Sequence, residues 1–295
     1  MTLPVKPPAP FKPLRGVRIL SLALNLPGPA ALMRLQALGA SCSKVEPPSG
    51  DPMGLYNRTA YDTLHQGVKV SSADLRTEAG QKAVHKLLAR ADILLTSFRP
   101  SALRKLGMDW AHLRKQYPAL SQIDIVGAAG ARAEEPGHDL TYMAEHGLVQ
   151  GLDLPPSLFA DMGGSLAAVE AVMAALLQQR AKGKGVHREV ALGDAAAYLG
   201  LPHQWGMTTL GGAVGGGHAG YRVYACKDGR VAVAALEPHF ALALCKAAGI
   251  TSVDRHTMLA PATHDTITRF LAAQTRRQLD ALALAQDIPL LTLPD

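Results

Sequence analysis

Short apolar runs alternate with stretches of helical spacing through the first 126 residues. VRILSLAL at 17–24 has the length and apolarity of a buried strand. Pro27, Gly28 and Pro29 then predict a turn. Residues 30–38 predict a helix, with Leu32, Leu35 and Leu38 at helical spacing and Gly39 as its stop. Residues 43–46 read as a second strand, ended by Pro47 and Pro48. Further strands are predicted at 68–72, 92–98 and 120–126. A helix is predicted at 77–90, with Ala83, Val84, Leu87 and Leu88 on one face. Strands that alternate with helices predict parallel pairing with right-handed crossovers, and so an open α/β sheet. The first turn reads NLPGPAAL, which is not the GxGxxG of a dinucleotide fold, and no GxxxxGK[ST] phosphate loop is present.

From Gly137 the pattern changes. A helix is predicted to start near His138, LDLPPSLFADMGGS reads as a loop, and residues 166–180 form the clearest helical pattern. Its apolar positions are Leu166, Val169, Val172, Met173, Leu176 and Leu177. AKGKGVHREVAL reads as a basic turn into a short strand. GGAVGGGHAG at 211–220 is expected to be mobile unless something supports it. YRVYACKDGRVAVAAL predicts a β-hairpin turning at Lys227, Asp228 and Gly229, followed by two or three helices and the apolar IPLLTL. The expected organisation is an extended arm at 1–13, a large domain at 14–210, and a glycine-rich linker with a small α+β domain at 211–295.

Composition narrows the function classes. Hydrophobic residues are 48% and charged residues 18% of the 295, which excludes a mostly disordered chain. No uninterrupted apolar run reaches the ~18 residues of a membrane span; the closest, at 166–177, contains Glu170. The proline-rich N-terminus lacks the apolar centre of a secretory signal. The net charge of +6 and a pI near 9.3 suit an anionic partner. Aromatics are only 5% and the basic residues are scattered, so a small phosphorylated ligand is expected rather than nucleic acid. Cys42, Cys226 and Cys245 form no metal or disulfide spacing, which predicts a reducing, cytoplasmic setting. The histidines show no HxxxH or HExxH, and no metal is expected.

Four places along the chain carry reactive residue types in suggestive settings. His138 and Asp139 open a predicted helix, where Asp139 reads either as an N-cap or as part of a site, and His138 either as a surface imidazole or as an acid/base near neutral pH. Tyr142 shares the face of His138. Asp161 precedes Met162, Gly163 and Gly164. It reads either as a cap or as a reactive carboxylate beside helix amides able to hold an oxyanion. Glu237 precedes Pro238 and reads as a cap-like residue or a functional acid. Arg99 follows a strand, where open α/β sheets bind ligands, and reads either as a phosphate contact or as a solvated charge.

Taken in order, five segments resemble the class III CoA-transferase superfamily (CaiB/BaiF), which includes α-methylacyl-CoA racemases. They are PLRGVRILSLALNLPGPAALMRLQALGASCSKVEPPSGDP, ADILLTSFRPSALRKLGMDWAHLRKQYPALSQIDIVG, GHDLTYMAEHG, ADMGGSLAAVEAVMAALLQQRAKGKG and YRVYACKDGRVAVAALEPHF. The resemblance covers nearly the whole chain from Pro13, and the last segment is closer to the racemases. It implies a Rossmann-like large domain plus a smaller one in an interlocked homodimer, and coenzyme A, as an acyl-CoA thioester, for substrate. It implies that His138 and Asp161 exchange a proton at the α-carbon, with Asp139 and Glu237 supporting the histidine. In transferase relatives the residue matching Asp161 is instead the nucleophile. The same resemblance places Ala73, Asp74, Leu75, Arg76, Ser97, Phe98, Arg99, Lys105, Gly137 and Tyr142 along the CoA groove. Two segments depart from the family pattern: residues 127–136 replace a GQTGP-like stretch, and residues 65–69 replace an NRGK-like one. The chain ends at Asp295 within what resembles the small domain, where relatives continue and return to the large one. The departures and the short end also allow a CoA-binding paralogue without turnover.

Overall fold

The structure is a computed structural model that describes residues 11–251, 254 and 256–294. Residues 1–10 of the expected N-terminal arm lie outside the described residues. The chain divides into two compact units between Gly200 and Leu201.

The first unit runs β1 (Arg18–Ser21), α1 (Pro27–Ala37), β2 (Ser41–Glu46), α2 (Met53–Tyr56), α3 (Arg58–Leu64), β3 (Lys69–Ser72), α4 (Glu78–Leu88), β4 (Ile93–Thr96), α5 (Pro100–Leu106), α6 (Trp110–Gln116) and β5 (Ser121–Val126). It continues with α7 (Asp139–Glu145), α8 (Phe159–Lys182), β6 (His187–Ala191) and α9 (Leu192–Leu199). Its sheet has the order β3-β2-β1-β4-β5-β6 and every pair is parallel. Both faces are covered, as parallel sheets require. Alternation divides β1, β2 and β4 between two cores. Ile19, Ile93, Leu95, Ile123 and Ile125 pack with α1 and α8 on one face. Leu20, Leu22, Leu94, Val84, Leu88 and Leu103 form the other core. The strand order reverses between β1 and β4, so a crevice opens at their carboxyl ends.

Two elements start earlier than the sequence pattern predicts. Pro27, Gly28 and Pro29 form the first turn of α1 instead of a separate turn. Proline costs nothing there, because the first amides of a helix lack intrahelical acceptors. Residues 159–165 form the first turns of α8, not a loop. Gly163 and Gly164 sit inside that helix, where α9 lies close. A Cβ on Gly163 would be 3.0 Å from Leu199 Cδ1, and one on Gly164 would collide with Leu192. The glycines permit close helix packing, which outweighs their poor helix propensity. At 24 residues α8 has the length and hydropathy of a membrane span. Its Ala160, Ala168, Val172, Ala175 and Leu176 are buried in the core of this unit.

The second unit holds α10 (Leu201–Gln204), β7 (Tyr221–Cys226), β8 (Gly229–Ala234), α11 (Pro238–Ala247), α12 (Pro261–Ala272), α13 (Arg276–Gln286) and β9 (Leu290–Leu293). The strands form an antiparallel sheet in the order β7-β8-β9. Tyr224, Val231 and Val233 pack with Leu244, Ile267, Leu271 and Leu279 of the helices. The glycine-rich stretch, expected to be mobile unless something supports it, has such support. Ala213–Gly217 forms a tight helical turn. It is held by Val214 N–H to Met207 O (3.1 Å), Gly217 N–H to Gly212 O (2.9 Å) and His264 Nε2 against Gly217 O (3.0 Å). Its glycines let backbone approach backbone: Cβ atoms at 215 and 217 would strike the carbonyls of Thr209 and Gly211.

Candidate functional site

A cavity of 180 Å³ lies at the carboxyl ends of β1, β4 and β5 in the first unit. Leu24 and Asn25 reach it after β1, Ser97, Phe98 and Arg99 after β4, and Gly127 after β5. Gly137, His138, Tyr142 and Asp161 complete its polar side. Two histidine and aspartate motifs separated by more than twenty residues therefore meet in one place.

His138 is the N-cap of α7, in extended conformation. The cap is made by backbone and by Thr141: the His138 N–H donates to Thr141 Oγ1 (3.1 Å), and that hydroxyl donates to the His138 carbonyl (2.7 Å). The imidazole is exposed. Asp139 is buried and does not cap its own helix. Its Oδ1 accepts the backbone N–H of Asp161 at 2.9 Å, one of the free donors at the start of α8. The contact of Asp139 thus runs to the second motif.

Asp161 occupies the third position of α8, and its side chain caps nothing. Its carboxyl is pushed up to about 6, first by burial and then by the charge of Asp139, with His138 opposing. Tyr142 is buried, and its phenol is raised by burial and by Asp161, with Arg99 opposing. Gly127 and Gly137 make room for that ring. A Cβ on Gly137 would fall 2.6 Å from the Tyr142 hydroxyl, and one on Gly127 would collide with it.

Ala73, Asp74, Leu75, Arg76 and Lys105 line a second, apolar cavity of 370 Å³. Phe98 lines both cavities. Arg76 is tied to Asp74 (Nε to Oδ1, 2.9 Å), which holds the Asp74 carboxyl below its usual range. Arg99 and Lys105 are exposed and make no ion pair among the described residues. The first-unit residues named for the CoA groove are therefore grouped into two adjoining hollows. Glu237 lies in the second unit as the N-cap of α11, exposed, with no side-chain cap bond.

The unusual stretch 127–136 has its own construction. Gly130–Glu134 forms a 3₁₀ turn. Glu134 accepts the Ser101 N–H (2.6 Å) and hydroxyl (2.8 Å) at the start of α5. Arg132 bridges Glu135 (2.9 Å) and Glu145 (2.8 Å). The loop is braced by ion pairs beside the cavity.

Sequence reasoning missed a buried charged network beneath the β1–α1 turn. Lys44 is fully buried on β2. Its ammonium pairs with Asp51, with Glu46 (3.1 Å) and with His65 Nε2 (2.9 Å). Tyr61 donates to Glu46 (2.9 Å). Ligand atoms of Glu46, Asp51 and His65 lie within 4.8 Å of one another, a spacing suited to a metal ion, but the Lys44 ammonium supplies positive charge there. Burial, with Lys44 adding to it, lowers the pKa of His65. The available signal was a lysine and a glutamate inside a predicted buried strand, since such charges are kept only when paired.

The chain matches CoA-transferase family III over residues 14–293. It is 32% identical over 212 residues to a probable fatty acyl-CoA transferase of Mycobacterium tuberculosis, covering 64% of this chain and 53% of that protein. It is 28% identical over 268 residues to the α-methylacyl-CoA racemase of Mus musculus, covering 84% of this chain and 68% of the racemase. The chain thus spans about half the length of the mycobacterial relative. A crystal structure of that mycobacterial protein superposes with a TM-score of 0.81 at 27% identity, covering 96% of this chain and 85% of that one. The histidine and aspartate motifs of α7 and α8 meet at one switch-point cavity, and the match over residues 14–293 leads to one assignment: the chain belongs to CoA-transferase family III.

Proposed function

We propose that the chain acts as an acyl-CoA racemase, moving the α-proton of a 2-methylacyl-CoA thioester from one face of the α-carbon to the other. His138 and Asp161 are the two bases. The observation that carries this reading is their shared cavity, where the Asp161 carboxyl is pushed up to about 6. A carboxylate of that basicity and an imidazole both exchange protons near neutral pH. One base takes the α-proton. The C–H electron pair moves into the bond to the carbonyl carbon, and the carbonyl π pair moves onto oxygen. The protonated partner then returns a proton to the opposite face, and the two bases have exchanged protonation states.

Coenzyme A is the carrier in this reading. The apolar hollow with Ala73, Leu75 and Phe98 suits its adenine, and Arg76, Arg99 and Lys105 suit its phosphates. A homodimer is supported by the exposed stripe of Met162, Leu166, Met173 and Leu177 along α8. A reducing, cytoplasmic setting is supported by three free cysteines, of which Cys42 is buried with its thiol pushed up to about 12.

CoA transfer is the second reading, favoured by the similarity to the mycobacterial transferase. Asp161 would attack the thioester carbonyl and expel CoA thiolate, leaving a mixed anhydride. The thiolate would then attack the aspartyl carbonyl, releasing the first carboxylate and leaving an aspartyl-CoA thioester. Hydroxylamine would trap that thioester.

The deciding experiment incubates the protein with 2-methylacyl-CoA in D₂O and reads the α-position by mass spectrometry. Deuterium uptake that disappears in Asp161→Asn is the expected result. Binding without uptake, together with hydroxylamine trapping, would replace racemisation by transfer. Binding with neither would mark a paralogue without turnover.

A further inference from the structure

Asn25 follows β1 and lines the cavity that holds His138 and Asp161. Its φ is 62°, and among the described residues only Asp287 shares positive φ without being glycine. Such a conformation is costly for most side chains and costless for glycine. It persists here because the surroundings over-determine it. The Asn25 N–H donates to both carboxylate oxygens of Asp51, at 3.1 and 3.2 Å. Asp51 is buried, accepts the Met53 N–H as well (3.0 Å), and is ion-paired to the buried Lys44. The turn is therefore anchored through its backbone. The Asn25 carboxamide, half-buried at the cavity, makes no hydrogen bond among the described residues. Asparagine tolerates this conformation better than most side chains, and here its polar end is unused among the described residues.

We propose that the Asn25 carboxamide N–H donates to the thioester carbonyl oxygen of the bound acyl-CoA and holds the negative charge that gathers there while the α-proton is off. Asp51 is its positioning residue. The inference rests on the acyl-CoA reading above and adds a residue to it. A carboxamide suits the task because it is neutral at every working pH and does not compete with His138 or Asp161 for protons.

Asn25→Gly tests the idea, because it keeps the left-handed turn and removes only the carboxamide. Asn25→Asp keeps a residue that tolerates the turn and replaces the donor by an acceptor. Two readouts are needed on the intact chain. One is the α-deuteration rate with 2-methylacyl-CoA. The other is the infrared stretch of a ¹³C-labelled thioester carbonyl in the bound state, which requires no turnover. Asn25→Gly is expected to fold with an unchanged or higher thermal midpoint, to lose about 10²-fold in rate, and to return the carbonyl band toward higher wavenumber. Asn25→Asp is expected to lose at least as much rate. An unchanged rate and band in Asn25→Gly would overturn the proposal and leave Asn25 as a turn residue, with the acyl-CoA reading intact. If wild type binds acyl-CoA without exchange, the band alone decides. If wild type binds no acyl-CoA, the functional reading falls and this proposal with it.

Discussion

The backbone N–H of Asp161 reaches across 22 residues of sequence to Asp139 Oδ1, at 2.9 Å. One carboxylate thus orders the turn that carries the other and raises its proton affinity. Asp139→Asn keeps an acceptor but removes the charge. The Asp161 pKa should fall part of the way toward its ordinary value, because burial is the larger cause. The acid limb of the kcat/KM profile should move to lower pH. A limb that stays in place would separate Asp139 from Asp161 electrostatically.

Asp161→Asn should abolish turnover and stabilise the protein at neutral pH. The sign follows from the direction of the shift. The folded carboxyl titrates at about 6 against an ordinary 3.8, so between these values the folded state holds a proton that the unfolded state releases. Stability therefore falls as pH rises through that window, by up to about 3 kcal/mol. Asparagine removes the dependence. Urea denaturation at pH 4 and pH 7 should show a gain for Asp161→Asn mainly at pH 7.

Lys44→Met should destabilise by about 3–5 kcal/mol, since it leaves buried Asp51 and Glu46 without their cation. Chemical denaturation of the variant against wild type measures this. A loss below about 1 kcal/mol would mean that the two acids find protons at little cost.

Gly137→Ala would put a Cβ 2.6 Å from the Tyr142 hydroxyl. The ring cannot retreat freely, because it is buried among Met143, Ala160 and Leu192. A loss of about 1–3 kcal/mol in stability is expected, with a larger proportional loss in acyl-CoA affinity. Calorimetric titration and thermal unfolding of the same sample read both.

His187 Nε2 meets Asp124 Oδ2 at 2.7 Å and raises the His187 pKa through that bond. The pair joins β6 to β5. Its stabilisation is full below the ordinary histidine pKa of 6.5 and is lost as pH rises through the raised folded value. His187→Gln should flatten the stability curve above pH 6.5. NMR titration of the imidazole checks the shift directly.

Much of the first unit was legible because parallel strands buried on both faces are written as apolar runs, and β1 and β4 sit in such runs. The motif positions were legible too, and His138 and Asp161 do share one cavity. Tertiary requirements were not legible. Nothing local reveals that Gly163 and Gly164 lie inside a helix for the sake of Leu192 and Leu199. Nor does local pattern reveal that Asp139 serves Asp161, or that Lys44 meets three residues gathered from β2, the following loop and the C-cap of α3. Long-range polar pairing leaves no periodicity behind.

Among the described residues, Phe98 alone borders both the switch-point cavity and the adjoining apolar one. In the acyl-CoA reading it works as a ruler. A compound that fills one hollow alone leaves the surface of the other uncovered. One that gains both must carry a flexible tether long enough to pass a single aromatic edge, with an apolar head at one end and its reactive centre at the other. In the acyl-CoA reading, selectivity for span, separate from selectivity for either end group, follows from that one side chain.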